Sequence, residues 1–262
     1  MTLGFCIPSS LGPGIGAAVA PEIERLGYYA FWSNDGRAGP GLPIIAAAQR
    51  VTTRIRLGVG VIPVDVRPAD EIERTIRDLG LDLGRAVVGV GSGRSEHPVD
   101  AVRAVVATLR ERLGPRAVIG IAALGPRMCR LGGEVADVVQ LNWMTPERIG
   151  WARRRVAEGE KRGGRAAGSA KVAMYVRVAV GEGAQERLTA EAERYARLPN
   201  YRTAFQSMGV EPGSVGIAKP TSAGVSAALE PYRSVLDETI VRVLPATDDA
   251  EGVLTVARAA IS

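Results

Sequence analysis

The chain has few of the side chains on which most metal sites and nucleophilic enzymes depend. Its 262 residues include one histidine and two cysteines. Cys6 and Cys129 match no Cys-x-x-Cys or Cys/His spacing, which argues against a zinc site and a disulfide framework. Sparse, unmatched cysteines suit a reducing compartment. We therefore expect a cytoplasmic protein that binds no metal.

Aromatic residues and lysines are also scarce. Aromatics make up 5% of the chain, and only three of its 33 basic residues are lysines. The net charge of +5 forms no basic run, because arginines alternate with acids in stretches such as EIERTIRD (71–78) and EAERYAR (191–197). That pattern is typical of solvated helix faces, and single-strand binders need aromatic stacking platforms. We expect no nucleic-acid partner.

Long apolar runs are absent. No stretch approaches the ~20 apolar residues that cross a bilayer. The small-residue segment GIGAAVAPE (14–22) imitates a signal-peptide cleavage site, but no lysine or arginine precedes it, and Pro8, Gly12 and Pro13 interrupt the apolar residues. A secretory signal needs a basic start and a continuous apolar core. We therefore expect neither a signal peptide nor a membrane partner.

The chain does contain short apolar runs that alternate with helical patterns. The predicted strands are 2–7, 28–33, 55–60, 86–91, 117–123, 136–141, 171–180 and 239–244. The predicted helices are 14–26, 41–50, 68–79, 98–113, 126–134, 145–162, 183–208 and 248–260. Nearly all-apolar strands separated by helices predict a parallel sheet that is covered on both faces.

Eight such units favour an α/β fold of the closed (β/α)8 TIM-barrel type over an open sheet. We expect a single domain over residues 1–262. About 60 residues separate the last two predicted strands, and a Gly/Pro/Ser-rich segment lies among them. This spacing predicts an insertion at about 205–237, beside the C-terminal mouth of the barrel.

Two glycine-rich turns are candidates for binding phosphate, and the first is LGPGIGAA (11–18). Gly12, Gly14 and Ala17 satisfy G-x-G-x-x-A, and Asp35 lies 21 residues beyond Gly14. This is the arrangement of NAD(P)-dependent Rossmann oxidoreductases. However, four residues separate the motif from the preceding strand, and Pro13 lacks an N–H donor. The Rossmann interpretation and a plain loop before the first helix both stay open.

The second turn is Leu124–Arg127, after the predicted strand 117–123. Gly125 at the N-cap and Pro126 at the first helical position would start a helix whose free N–H groups and dipole favour an anion. Arg127, and Arg130 one turn later, would add charge-assisted hydrogen bonds. The alternative is a well-capped strand–turn–helix with solvated arginines.

Several stretches resemble the bacterial-luciferase-like oxidoreductases, which depend on flavin or deazaflavin. They are RIRLGVGVIPVDVRP (54–68), AVVGVGSG (86–93) and AALGPRMCRLGGEVADVVQLNWMTPE (122–147), and LGYYAFWSNDG (26–36) resembles the family's second-strand region. The resemblance implies a (β/α)8 barrel, a homodimer, and a cofactor across the C-terminal mouth. We expect coenzyme F420 as the first choice and FMN as the second.

The resemblance also implies where the cofactor binds. It places the phosphate against Gly125, Pro126 and Arg127, and a non-prolyl cis peptide at Gly60–Val61. The implied cofactor-binding residues are Asn34, Gly60, Val61, Gly91, Ser92, Gly93, Leu124, Gly125, Pro126, Arg127, Asn142 and Trp143. Core packing is the alternative for Trp143.

One departure from the family concerns the catalytic residues. Many relatives carry Asp-His after the second strand, whereas this chain has Asp35-Gly36, and its histidine is His97 in RSEHP (94–98). His97 is a candidate general acid, and Asp35 a candidate for orienting the substrate or a ring nitrogen. The alternatives are a solvated loop histidine and a carboxylate that caps its own loop.

The expected function is hydride transfer to or from a small organic substrate by an F420- or FMN-dependent enzyme of the luciferase-like monooxygenase class. Two alternatives stay open at this point. One is a non-catalytic flavin- or F420-binding protein, and the other is the NAD(P)-dependent Rossmann oxidoreductase.

Overall fold

The computed structural model describes residues 2–36 and 39–262. The strands are β1 (Thr2–Ile7), β2 (Ala30–Ser33), β3 (Arg56–Pro63), β4 (Ala86–Gly91), β5 (Val118–Ala122), β6 (Val138–Asn142), β7 (Lys171–Val180), β8 (Ile217–Lys219) and β9 (Glu238–Val243). The helices are α1 (Gly12–Arg25), α2 (Leu42–Val51), α3 (Ala69–Asp78), α4 (Pro98–Leu113), α5 (Pro126–Val135), α6 (Pro146–Arg162), α7 (Ala184–Ala196), α8 (Pro199–Met208), α9 (Val225–Arg233) and α10 (Ala250–Ala259).

The long strands close into a parallel barrel. Neighbours pair in chain order from β1 to β7, and β9 completes the ring by pairing with both β7 and β1. The predicted (β/α)8 barrel is confirmed. The Rossmann alternative is wrong, because it requires an open sheet with a topological switch point. Gly12 and Gly14 instead form the start of α1, which packs against α2 outside the barrel.

Alternation along each strand separates two apolar layers. Outward-facing side chains pack under the helices and form the main core. The barrel interior is filled by a smaller cluster, which consists of Cys6, Ala30, Trp32, Val87, Val138, Ala173, Tyr175 and Ile240. Helices cover the outside of the ring, so the strands can be apolar on both faces.

The structure differs from the prediction mainly after β7. The predicted helix 183–208 is two helices, α7 and α8, because Leu198 before Pro199 is extended, with φ −82° and ψ 127°, as residues before proline usually are. The predicted insertion contains the short β8, which pairs with the last three residues of β7, and α9. Within residues 2–36 and 39–262, no helix is long and apolar enough to cross a membrane.

Candidate functional site

A polar pocket opens where the strands of the barrel end. It encloses about 520 Å³ including its open mouth, and it lies at the C-terminal rim, where (β/α)8 enzymes place their chemistry. The pocket is lined by Asn34, Asp35, Gly60, Val61, Ala122, Gln140, Leu141, Asn142, Tyr175, Arg177, Tyr195, Tyr201 and Arg242. Five of the predicted site residues are therefore together here: Asn34, Asp35, Gly60, Val61 and Asn142.

The floor of the pocket lies beneath a bend in β3. The Gly60–Val61 peptide is cis, as expected, and the pairing of β3 with β4 shifts register between Val59 and Ile62. The Gly60 carbonyl accepts a hydrogen bond from the Tyr175 hydroxyl at 2.9 Å. A methyl group on Gly60 would lie 2.6 Å from that hydroxyl oxygen. A side chain at position 60 would therefore displace the ends of neighbouring side chains at the floor.

Gln140 brings an unpartnered amide to this floor. Its side chain points inward from β6 and is 3% exposed, yet neither Oε1 nor Nε2 has a hydrogen-bond partner of normal geometry within the described chain. A buried donor and acceptor left unpaired cost free energy. An amide in this position is therefore suited to pair with a ligand.

Two buried arginines line the side of the pocket formed by β7 and β9. Arg177 is 2% exposed and Arg242 is 6% exposed. The Arg177 guanidinium donates to Asn142 Oδ1 and lies over the Trp143 ring, 4.3 Å from its centroid. Arg242 Nη1 donates to the Val243 carbonyl at 2.6 Å. This side of the pocket is thus strongly positive.

Another part of the pocket wall comes from α7 and α8. Tyr201 accepts a hydrogen bond from Asn142 Nδ2 at 2.8 Å, and its ring lies edge-on to Tyr195 with centroids 4.9 Å apart. Burial raises the pKa of Tyr201 to about 12, so the phenol keeps its proton at neutral pH.

Trp143 belongs to the layer behind the pocket. It is 1% exposed and packs against Tyr195 and Phe205. Its φ of 53° lies in the left-handed region, which is uncommon for a bulky residue. The packing of the indole and its contact with Arg177 hold this backbone conformation, so core packing describes Trp143 better than a pocket wall does.

Asp35 is tied into the loops around the pocket. It forms an ion pair with Arg67 and accepts a hydrogen bond from the Gly41 amide at 2.6 Å. Burial raises its pKa above the ordinary value, and the two partners oppose that shift. Asn34 beside it exchanges hydrogen bonds with Ser9. Both residues therefore also fix the loops that follow β1, β2 and β3.

The predicted phosphate corner lies on the same rim, next to the pocket. Gly125 is the N-cap of α5 with extended backbone, Pro126 is the first helical residue, and Arg127 is exposed. A methyl group on Gly125 would meet no atom within 4 Å. The space beside Gly125 is therefore open, and a helix start with free N–H groups suits an anion. Arg130 is paired with Glu158 at 2.8 Å and is committed elsewhere.

Sequence comparison identifies part of this rim. Residues 103–214, which include β5, the α5 corner and β7, match the model of the luciferase-like monooxygenase family. Over these residues the chain is similar to the luciferase-like monooxygenases. No curated protein sequence matches it significantly.

Solved structures resemble this chain over nearly its whole length. An F420-dependent secondary alcohol dehydrogenase in complex with an F420–acetone adduct has a TM-score of 0.80 and 14% identity, covering 100% of this chain and 99% of that one. The coenzyme F420-dependent tetrahydromethanopterin reductase from Methanopyrus kandleri has a TM-score of 0.75 and 17% identity, covering 99% and 98%.

An FMN-bound structure is also similar. It is the oxygenating constituent of 3,6-diketocamphane monooxygenase, from the CAM plasmid of Pseudomonas putida, with a TM-score of 0.68 and 13% identity over 98% of this chain and 99% of that one. At these identities the likeness shows the fold.

Other residues that the sequence predicts for the site lie outside the pocket. Gly91 lies under Val61, and a methyl group there would be 2.7 Å from Val61 Cγ2. The Ser92 carbonyl accepts from the Ser95 amide and hydroxyl, and Gly93 is exposed with φ 57°. Leu124 packs against the outer core.

His97 is not brought together with the pocket. It is exposed immediately before α4, where it is the N-cap without a side-chain capping bond. Its role as a general acid stays a prediction from the sequence.

The residues that give the pocket its polarity are not among those predicted from the sequence. They are Gln140, Tyr175, Arg177 and Arg242, and they lie within strands rather than in the loops that follow them. Their signal is period-two alternation: in KVAMYVRVAV (171–180) Tyr175 and Arg177 share a face. A charged residue in an otherwise apolar strand indicates a lined cavity.

The site fits a flat ring system that carries an anion. Gly60 permits close approach at the floor, the Gln140 amide has an unpaired donor and acceptor, and the N-terminus of α5 is open to an anion. These features suit the flavin or deazaflavin cofactor that the sequence resemblance implies, which combines a ring bearing carbonyl and N–H groups with a phosphate.

Proposed function

We propose that the protein is an oxidoreductase that binds coenzyme F420, with FMN as the alternative, and transfers a hydride to or from a small organic substrate. The observation that carries the proposal is the buried Gln140 amide, which has no hydrogen-bond partner of normal geometry within the described chain and lies in a polar pocket beside an open helix N-terminus. When bound, either cofactor supplies the hydride chemistry that side chains lack.

The chain's own residues would bind and orient the cofactor. The N–H groups at the start of α5 and the Arg127 side chain would hold the phosphate. The Gln140 amide offers one donor and one acceptor side by side, which complement the alternating carbonyl and N–H groups of the ring. Gly60 and Val61 would form the surface against which the ring packs.

Proton donors for the reaction are available in the pocket. Tyr201 stays protonated at neutral pH because burial raises its pKa to about 12, and Asn142 fixes its hydroxyl oxygen. The hydroxyl can therefore donate a hydrogen bond to a substrate oxygen. His97, the general acid predicted from the sequence, lies outside the pocket lining, and Asp35 would position the adjacent loops through its contacts with Arg67 and Gly41.

Two observations support F420 as the first choice. The F420-dependent enzymes superpose with higher TM-scores than the FMN-bound monooxygenase. Arg127 is exposed, and within the described ranges it forms no ion pair, so it is free to meet the acidic tail of F420. The homodimer stays a prediction from the resemblance.

Equilibrium titration of the purified protein with F420 and with FMN tests the proposal. We expect F420 to bind at least tenfold more tightly than FMN. We expect Gly125→Val to weaken that binding by at least tenfold, because the new side chain would occupy the open space at the start of α5. Gly14→Val is the matched control, since a Cβ at Gly14 also meets no atom within 4 Å.

Failure of both cofactors to bind would contradict the proposal, and so would an equal effect of the two valine variants. Tighter binding of FMN would reverse the choice of cofactor.

A non-catalytic cofactor-binding protein is the second candidate. It is favoured by Gly36 at the position where many relatives have histidine, and by a pocket lining that, in the described chain, contains none. Reduction of the bound cofactor by a panel of small alcohols separates the two. The enzyme predicts turnover with at least one donor, and the binding protein predicts tight binding without turnover.

A further inference from the structure

Two positive charges lie side by side at the upper end of the barrel interior. Arg177 of β7 and Arg242 of β9 are direct partners in the parallel register, and both line the pocket. Adjacent strands are about 4.8 Å apart, so the two side chains leave neighbouring points of the wall. Arginine stays protonated in proteins, so both charges are permanent.

The partners of Arg177 are neutral. Its Nη1 donates to Asn142 Oδ1 and, at 3.4 Å, to the Tyr175 carbonyl. Its guanidinium stacks on Trp143, and its buried Nε has no hydrogen-bond partner within the described chain. The side chain is therefore held rigidly, while its charge and part of its hydrogen-bonding capacity stay unused.

Arg242 has even fewer partners. Its one hydrogen bond within the described chain is from Nη1 to the Val243 carbonyl. Asp35 is the acid among the described pocket residues, and it is committed to Arg67 and the Gly41 amide. Neither buried arginine forms an ion pair with a described residue.

The titratable neighbours supply no negative charge either. Cys6 interacts electrostatically with both arginines, and the Tyr175 phenol interacts with Arg242. Burial raises the pKa of the Cys6 thiol, and it raises that of the Tyr175 phenol well above its ordinary value. Both groups are thus neutral at physiological pH.

Buried charges are normally paired, and two adjacent unpaired cations destabilise a fold. An arrangement that keeps both of them rigid and directed into a pocket indicates a missing counter-ion. We infer that Arg177 and Arg242 together bind an oxyanion group, carboxylate or phosphate, of the substrate. The inference rests on the proposed function only in assigning that group to the molecule that exchanges hydride with the cofactor.

The cofactor also carries anionic groups, so the experiment must separate the two sources. The probes are acetate and inorganic phosphate, added to the cofactor-free protein with chloride as the reference at constant ionic strength. Thermal unfolding reports binding, because a ligand of the folded state raises the midpoint in proportion to ln(1 + [L]/Kd). F420 and FMN titrations of the same variants report cofactor binding.

The variants are Arg177→Met and Arg242→Met, which keep the length of the side chain and remove its charge. Arg197→Met is the matched control, because Arg197 is exposed between α7 and α8 and outside the pocket lining. We expect acetate or phosphate to stabilise the wild type and Arg197→Met equally. We expect each pocket variant to lose at least tenfold in anion affinity while its cofactor affinity stays within threefold.

Arg242→Lys tests the geometry. It retains the charge without the planar pair of donors, and we expect anion affinity between those of the wild type and Arg242→Met.

Two results would overturn the inference. One is an anion effect that is absent or unchanged in the pocket variants. The other is a loss of cofactor affinity as large as the loss of anion affinity, which would assign the arginines to the cofactor. Failure of F420 and FMN to bind a protein that still binds anions through these arginines would contradict the proposed function and leave the oxyanion site standing.

Discussion

The two ends of the barrel interior treat buried polar groups differently. At the N-terminal end, Glu238 begins β9, and its carboxyl accepts a hydrogen bond from the Trp32 indole at 2.7 Å. At the C-terminal end, Arg177 Nε and the Gln140 amide have no hydrogen-bond partner within the described chain, and the Arg242 guanidinium makes one hydrogen bond there. At the N-terminal (lower) end the buried carboxyl group has a hydrogen-bond partner in the chain, whereas at the C-terminal (upper) end some buried polar groups have none within the described residues. This is the division expected of a (β/α)8 barrel, with stability at one end and chemistry at the other.

The largest expected effect concerns the pH dependence of stability at the lower end. Burial raises the pKa of Glu238 from 4.5 to about 7. Between these values the folded state keeps a proton that the unfolded chain has released, so stability falls as pH rises through this window and is level above it. Glu238→Gln should remove this slope, which amounts to at most about 3 kcal/mol.

Urea unfolding at pH 4.5, 6 and 8 measures the difference. Glutamine keeps the acceptor for the Trp32 indole, so the variant should still fold. The same change of unfolding free energy with pH in both proteins would show that the pKa of Glu238 is not raised. The carboxyl group would then not distinguish the lower end from the upper.

A matched pair of glycine substitutions compares the two ends directly. A methyl group on Gly4 would collide with the Glu238 carboxylate and lie 3.1 Å from Trp32 Nε1. Gly4→Ala should therefore lose about 2 kcal/mol of unfolding free energy. Gly60→Ala meets the ends of the unpaired Gln140 and of Tyr175, and it should mainly weaken cofactor binding, by about tenfold.

Unfolding free energies and cofactor titrations of both variants provide the check. The comparison fails if Gly60→Ala costs as much stability as Gly4→Ala while its cofactor affinity is intact.

At the upper end we expect a smaller change in the free energy of unfolding, and an increase instead of a decrease. Arg242→Met removes a buried cation that the chain does not neutralise, so the cofactor-free protein should gain about 1 kcal/mol of stability. Urea unfolding in chloride measures this gain. A loss of stability would mean that the Arg242 guanidinium has stabilising partners within the fold. The two ends of the barrel interior would then not differ in this respect.

The smallest expected effect is at His97. Because this residue is exposed and outside the pocket lining, His97→Gln should leave the rate of hydride transfer within about twofold of the wild type. A stopped-flow measurement of the rate of cofactor reduction in both proteins tests this prediction. A drop of a hundredfold, a typical contribution of a general acid, would instead confirm the prediction from the sequence and extend the working region beyond the pocket.

The barrel is largely predictable from local sequence. Each long strand is an apolar run bounded by turn residues, and the Gly125–Pro126 and Thr145–Pro146 pairs start α5 and α6 as expected. The three residues of β8 are too few to produce a pattern. The break between α7 and α8 was indicated by Pro199, whose effect on the preceding residue outweighs the helical periodicity around it.

The site is less predictable, for two physical reasons. Asn34, Asp35 and Asn142 lie at or just after the ends of strands and were predicted from the sequence, but Arg177 and Arg242 lie inside strands, where apolar neighbours conceal them. Tyr201 reaches Asn142 across 59 residues of sequence. No local pattern encodes that contact, since it depends on how α8 packs over the barrel mouth.

The origin of the tyrosines has a consequence for how such a protein diversifies. Tyr195 and Tyr201 stand on helices outside the ring, while the glycines and the α5 corner belong to the ring and its shortest loops. Replacing the segment between β7 and β9 would change which substrates fit the pocket without changing the residues proposed to bind the cofactor. Substrate preference can therefore evolve while the cofactor site stays the same.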